Sequence, residues 1–157
     1  MILYRSNQHR MSFSINKNFK VEIFMPKLQF LQKHRPFSLI YLIWYIFTLG
    51  KYKIIYVFDN EKLIHYSHVL PGFWKFRFMN RDDYEIGPCW TDELYRGQQI
   101  YPYVIQKIVE LFKNDAAFFY MVVDEKNIAS IRGIEKAGFI KVGIVKKTKF
   151  LGIYYKI

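Results

Sequence analysis

Arg96-Gly97-Gln98-Gln99-Ile100-Tyr101 stand directly before an amphipathic helical stretch. The first amides of a helix have no intrahelical acceptor, and the helix dipole makes that end positive. A diphosphate fits such a place, and Arg96 adds a full charge. Two residues upstream can move protons. His65 has an ordinary pKa near neutrality. Glu85 is a strand carboxylate whose pKa rises if it is buried. Cys89 is the only cysteine. A lone thiol makes neither an internal disulfide nor a CxxC zinc site. It reads as a small, buried strand residue, since no base is clearly paired with it. His9, His34, His65 and His68 form no metal-ligand spacing, so no metal is expected. His65 and His68 are three apart in a strand and should point to opposite faces.

The elements that must position these groups follow from periodicity. Phe19–Phe24 alternates and reads as a first strand. Residues 27–50 read as helical, with Arg35 and Pro36 at a helix start and Gly50 at its end. Tyr52–Phe58 and Lys62–Leu70 read as a hairpin around Asp59-Asn60-Glu61. Residues 73–83 are a charged, aromatic connection. Tyr84–Thr91 is a strand that Gly87-Pro88 should distort midway, because proline cannot donate to a ladder and glycine invites a bulge. Ile100, Val104, Ile108 and Leu111 form one helical row, with Pro102 in its first turn. Ala116–Val123 is continuously apolar and reads as a strand buried on both faces. Asn127 can cap a helix over Ile128–Lys136 that Gly138 ends in the left-handed conformation. Ile140–Val145 and Phe150–Tyr155 read as closing strands. The whole is mixed α/β, with helices covering a central sheet.

The chain has 157 residues, which suits one domain, and 52% of them are apolar, which excludes a disordered class. Its formal net charge is +11. Residues 1–53 hold nine Lys/Arg against Glu22 alone, while the rest hold fifteen against twelve acidic residues. Such a flank attracts anionic lipid, nucleic acid or a phosphorylated small molecule, or simply keeps the chain soluble. No RNA-binding motif is present, and the aromatics read as core, so nucleic acid is not an expected partner. Phe37–Leu49 is apolar almost throughout, yet a membrane span needs about 20 residues. It also lies too far from Met1 for a signal peptide. It reads as a helix buried in a core or lying at an interface. The expected location is cytoplasmic, with membrane association through Phe37–Leu49 the alternative.

Two motifs carry a family resemblance. Glu85–Ile105 runs strand, loop, helix, and its loop Arg96–Tyr101 is similar to the Gln/Arg-x-x-Gly-x-Gly/Ala loop of the GNAT acetyltransferase superfamily. Asn127–Phe139, NIASIRGIEKAGF, resembles that family's Asn-x-x-Ala/Ser…Glu-Lys-x-Gly-Phe helix and turn. The resemblance covers roughly residues 52–157. It implies a single α/β GNAT-like domain over residues 1–157. The central sheet would have about six to seven strands flanked by helices. Residues 1–50 would form a basic N-terminal part carrying the apolar helix. The segments His65–Ser67, Ile86–Cys89 and Arg96–Tyr103 are also similar to acetyltransferase-like proteins of surface-polysaccharide synthesis. The family departs from this chain at Gln99, usually Gly, and at Tyr101, usually Gly or Ala. A Cβ at either place can crowd a phosphate.

The resemblance implies acetyl-CoA as co-substrate, its diphosphate on the amides of Gly97, Gln98, Gln99, Ile100 and Tyr101 beside Arg96. Its pantetheine arm would run along Cys89, Trp90 and Thr91, with Asn127 and Ser130 near the coenzyme. In the histone-acetylating branch a catalytic glutamate stands at a similar distance before the loop, which points to Glu85 as base. Glu85 paired with a lysine on the sheet surface is the alternative. His65 is the competing base, or else a satisfied core histidine. Ile134 stands where relatives often carry a proton-donating tyrosine, so the acid that protonates the thiolate is missing; Tyr101, Tyr103 or solvent could replace it. The expected function is an N-acetyltransferase for a small amine, such as a nucleotide-linked amino sugar. The alternatives are a protein or peptide acceptor, and a non-catalytic GNAT-like module that binds a membrane surface or partner.

Overall fold

Alternating apolar residues in Lys53–Asp59 and Lys62–Pro71 form a hairpin, with Asn60 in the left-handed conformation that its tight turn requires. This pair anchors the sheet. The computed structural model describes residues 1–6, 19–26, 39–149 and 152–157. Its elements are β1 (Ile2–Ser6), β2 (Lys20–Phe24), α1 (Leu39–Phe47), β3 (Lys53–Asp59), β4 (Lys62–Pro71), β5 (Tyr84–Thr91), α2 (Ile100–Phe112), β6 (Phe119–Val123), α3 (Ile128–Lys136), β7 (Phe139–Lys147) and β8 (Tyr154–Lys156). A 3-10 turn at Glu93–Tyr95 links β5 to α2.

The strands form one mixed sheet in the order β2-β3-β4-β5-β6-β1-β7-β8. Every described pair is antiparallel except β5 with β6, which run parallel across the α2 connection. The α/β architecture expected from the sequence is therefore present, with eight strands rather than six or seven. The additional strand is β1, inserted between β6 and β7. Tyr4 pairs with Met121 on one side and Lys141 on the other. Its hydroxyl donates to Glu135 Oε1 at 2.7 Å, tying the strand to α3.

The sheet buries two different faces. One packs Ile55, Val57, Ile86 and Met121 against Ile100, Val104, Ile105 and Ile108 of α2 and Ile134 of α3. The other is aromatic, with Tyr52, Tyr56 and Phe76 at its centre and Tyr41 and Trp44 of α1 against it. α2 and α3 end as the sequence predicts at their critical residues. Pro102 sits in the first turn of α2, Asn127 accepts the Ser130 amide at 3.1 Å, and Gly138 has a φ of +87°.

Some expected boundaries move. α1 is described from Leu39, and the expected start at Arg35-Pro36 lies outside the described residues. It ends at Phe47, with Gly50 N–H closing on the Tyr45 carbonyl at 2.8 Å. The helix is not buried in a core: Leu42 is its one buried residue. β6 begins at Phe119 rather than Ala116, because the Phe118 amide is taken by Asp83 Oδ1 at 3.1 Å. β8 is described over Tyr154–Lys156, and Phe150 lies outside the described residues.

Because Ile108 is fully buried between α2 and the sheet, Ile108→Ala should cost ~2–5 kcal/mol of unfolding free energy in urea titration. A cost below ~1 kcal/mol would mean that α2 is not packed as described.

Candidate active site

The parallel pairing of β5 and β6 stops almost where it starts. Tyr84 pairs with Phe119 and Glu85 with Tyr120, and no later residue of β5 pairs with β6. The cause is local. Ser67 pairs with Cys89 and Val69 with Ile86, so Gly87 and Pro88 together oppose His68. This two-against-one bulge bends β5, and Pro88 has no N–H to offer a neighbour. Beyond the bulge β5 is held by β4 on its far side, and β6 by β1 on its own.

A cleft of about 500 Å³ opens at this parting. Cys89, Trp90 and Thr91 form one wall, Tyr95, Arg96, Gly97, Gln99, Tyr101 and Pro102 a second, and Asn127, Ala129, Ser130, Arg132, Gly133 and Lys136 the third. Of the expected coenzyme-binding residues, Gln98 and Ile100 do not line it. The Gln98 side chain folds back to donate to the Leu94 carbonyl, and Ile100 is buried in the core. Sequence reasoning missed Tyr95, Pro102, Ala129, Arg132, Gly133 and Lys136. A signal existed: Ala129, Arg132, Gly133 and Lys136 are spaced as one helix face beside Asn127 and Ser130.

The loop entering α2 presents its backbone to this cleft. Among the described residues, none of the amides of Gly97, Gln98, Gln99, Ile100 and Tyr101 has an acceptor. Gln99 holds the left-handed conformation at φ +63°, without a side-chain cap, and Gly97 does the same at φ +78°. Arg96 is steadied by the Thr91 carbonyl at 3.2 Å and by Glu93 at 3.3 Å, both exposed contacts. The cleft wall carries Arg96, Arg132 and Lys136 and no carboxylate. Tyr101 does not close it. Its ring lies so close to Gly133 that a Cβ there would overlap it. Burial raises the pKa of its hydroxyl.

Glu85 sits on the last paired rung, 6% exposed. No hydrogen bond to its carboxylate exists among the described residues. Its Oε1 would lie 2.7 Å from any Cβ placed on Gly87, so the carboxyl curls over the bulge. Burial raises its pKa well above the usual carboxylate value, and the Lys75 ammonium pulls the other way. This differs from a surface strand residue held by a lysine.

His65 occupies the α2 face of the same region, fully buried. Nδ1 meets Thr91 Oγ1 at 2.8 Å and Nε2 meets Ser67 Oγ at 2.7 Å, while Ser67 donates to Cys89 Sγ at 3.1 Å. Both ring nitrogens are thus engaged, and burial pushes the pKa down to about 3. Cys89 is half-buried on the cleft wall rather than the buried residue expected, and desolvation pushes its thiol up to about 12. His65 therefore braces the cleft wall rather than reaching into it, and Cys89 stays a thiol. His68 faces the opposite side, as the spacing predicted, against Tyr41, Tyr52 and Tyr66. Among the described residues no group of His, Cys, Asp or Glu could hold a metal.

No family model matches the sequence, and no curated protein does. Solved structures do match the fold. An acetyltransferase of the GNAT family from Colwellia psychrerythraea superposes with a TM-score of 0.64 at 13% identity, over 90% of this chain and 52% of that one. The fold is GNAT-like. This chain therefore spans about half the length of that protein. The aminoglycoside acetyltransferase AAC(6')-Ib in complex with coenzyme A matches with a TM-score of 0.56 at 18% identity, over 74% of each chain. A transcriptional regulator from Bacillus halodurans matches with a TM-score of 0.60 at 15% identity, over 83% of this chain and all of its own. A GNAT-like fold thus comes with different functions, and function must be argued from the site. The likeness to surface-polysaccharide proteins gains no support from these structures.

The two buried histidines make stability pH-dependent. Their folded pKa values, about 3 for His65 and about 4 for His68, lie below the ordinary 6.5, so the unfolded chain binds more protons between those limits. Stability is complete above 6.5 and is lost as the pH falls. Glu85 acts oppositely, costing stability as the pH rises above its ordinary 4.5. Urea midpoints measured from pH 7 to pH 4 should fall less steeply for His68→Phe than for the natural sequence. Equal slopes would contradict a neutral His68.

Proposed function

We propose that the protein is an acetyl-CoA-dependent N-acetyltransferase whose acceptor is a small-molecule amine. The observation that carries this reading is the cleft at the β5–β6 parting, where five unpaired amides border a lining that includes Arg96, Arg132 and Lys136 and no acidic residue, with Glu93 bonded to Arg96 just outside it. Such a lining suits a polyanion with an extended arm. The amides of Gly97 to Tyr101 and Arg96 would hold the diphosphate. The arm would lie along Cys89, Trp90 and Thr91, with Asn127 and Ser130 across from it. Gln99 and Tyr101, which replace small residues of the family loop, leave the cleft open.

Acetyl-CoA would supply an activated acyl group. Glu85 would take the proton of the acceptor's ammonium. Its raised pKa keeps it basic enough for that transfer near neutral pH. Glu85 does not itself line the cleft; it stands on the last β5–β6 rung, four residues before Cys89 of the cleft wall, and an acceptor reaching from the parting to Glu85 would bring amine and thioester together. The leaving thiolate's proton falls to solvent in this scheme. Ile134 is buried and has none to give, and burial raises the pKa of the Tyr101 hydroxyl. A nucleotide-linked amino sugar is the acceptor class we favour. The excess positive charge suits a phosphorylated carrier, and an aminoglycoside acetyltransferase shares the fold.

A free-thiol assay with acetyl-CoA and a panel of amino sugars tests the reading. Thiol release is expected with at least one amine, and Glu85→Gln should lower kcat ~100-fold or more. The rise of rate with pH that reports Glu85 ionisation should vanish in that variant. Full activity in Glu85→Gln would remove Glu85 from the chemistry. Absence of thiol release with every amine would overturn the assignment.

A further inference from the structure

α1 is anchored on one side and bare on the other. Its inner face packs Tyr41 against His68 at 5.3 Å and Trp44 against Tyr52 at 5.6 Å. Its outer face presents Leu39 (65% exposed), Ile43 (43%), Ile46 (61%) and Phe47 (58%), followed by Leu49 (72%). Residues 39–47 contain no charged side chain. The apolar surface continues onto the loop after β4, where Trp74 lies 5.2 Å from Phe47 and Phe73 is partly exposed. Scattered apolar residues on a surface mean little, but a contiguous ridge of this kind marks an interaction site.

We propose that this ridge docks the protein onto an anionic lipid bilayer, with the outer side chains of α1 at the boundary of headgroups and acyl chains. Three observations select that occupant. The described helix, Leu39–Phe47, has nine residues, and among the described residues no helix is long and apolar enough to cross a bilayer. A helix fixed on its inner face can still insert its outer face. Charge favours lipid over a second copy. The chain carries a net +11, and residues 1–53, which include α1, hold nine Lys/Arg against Glu22 alone. That charge repels another copy and attracts an anionic leaflet. A cationic group also stands beside the ridge: Lys51 follows the helix half-buried, with Asp82 3.8 Å from it. In sequence, Lys33 and Arg35 precede the helix. The proposal is independent of whether the cleft holds acetyl-CoA.

The test is co-sedimentation of the full chain with phosphatidylcholine vesicles, with and without phosphatidylglycerol, alongside light scattering of the free protein. The natural sequence should bind the phosphatidylglycerol vesicles, more weakly as salt rises. The double variant Ile43→Ser, Phe47→Ser should bind at least about tenfold more weakly, because each loses an inserted apolar side chain. Circular dichroism checks its fold; should it fail, Ile46→Ser and Leu49→Ser at the outer end of the helix take its place. No binding to either vesicle overturns the proposal. So does equal binding to both vesicles, or binding unchanged by the substitutions. Dimerisation abolished by the same substitutions would make a second copy the occupant instead.

Discussion

The site depends on two strands that cannot stay paired. β5 and β6 begin as parallel neighbours, and the bulge at Gly87-Pro88 ends the partnership after Glu85 and Tyr120. An unpaired strand interior is costly when buried, because each backbone N–H and C=O needs a partner. Here the cost is contained. β5 beyond the bulge remains bonded to β4, and β6 remains bonded to β1. The sheet therefore stays continuous at the root of the parting while a cleft forms beyond it. Glu85 is placed on the last rung before the gap, which leaves its carboxyl buried but free of internal hydrogen bonds among the described residues.

The rest of the structure keeps this opening in shape. Apolar packing of α2 and α3 on one face fixes the two helix N-termini that border the cleft. The chain Thr91–His65–Ser67–Cys89 fixes the wall on β4 and β5. A histidine with both nitrogens satisfied and no charge is a rigid spacer in such a place, since it satisfies polar neighbours without importing a buried ion. Asp83 plays a matching part at the root of β6. It accepts the amides of Asn80 and Phe118 and so sets where that strand begins.

Much of this was legible in the sequence because the informative residues act locally. Gly87-Pro88 forecast the break in β5, Asn127 and Gly138 bracketed α3, and Ile100, Val104 and Ile108 gave α2 its inner face, although Leu111, expected in the same row, is exposed and Ile105 and Phe112 are buried instead. The features that escaped are those set by distant partners. β1 is five residues long and makes sense only between β6 and β7, more than a hundred residues away. The bond from Asp83 to Phe118 spans 35 positions, and no local pattern reports it. The roles of Ser67 and Thr91 likewise depend on the register of β4 with β5. α1 was readable as apolar, but which of its faces is covered depends on the aromatic surface of β3 and β4.

The central claim is that the parted strands and the open amides beside them form one coenzyme site. Backbone amide NMR during titration with acetyl-CoA addresses it directly. The account predicts saturable shifts concentrated at Gly97–Tyr101 and Cys89–Thr91, with Asn127 and Ser130 following and β2 unmoved. Saturation with no change at the α2 entry, or no saturable shift anywhere, would contradict it.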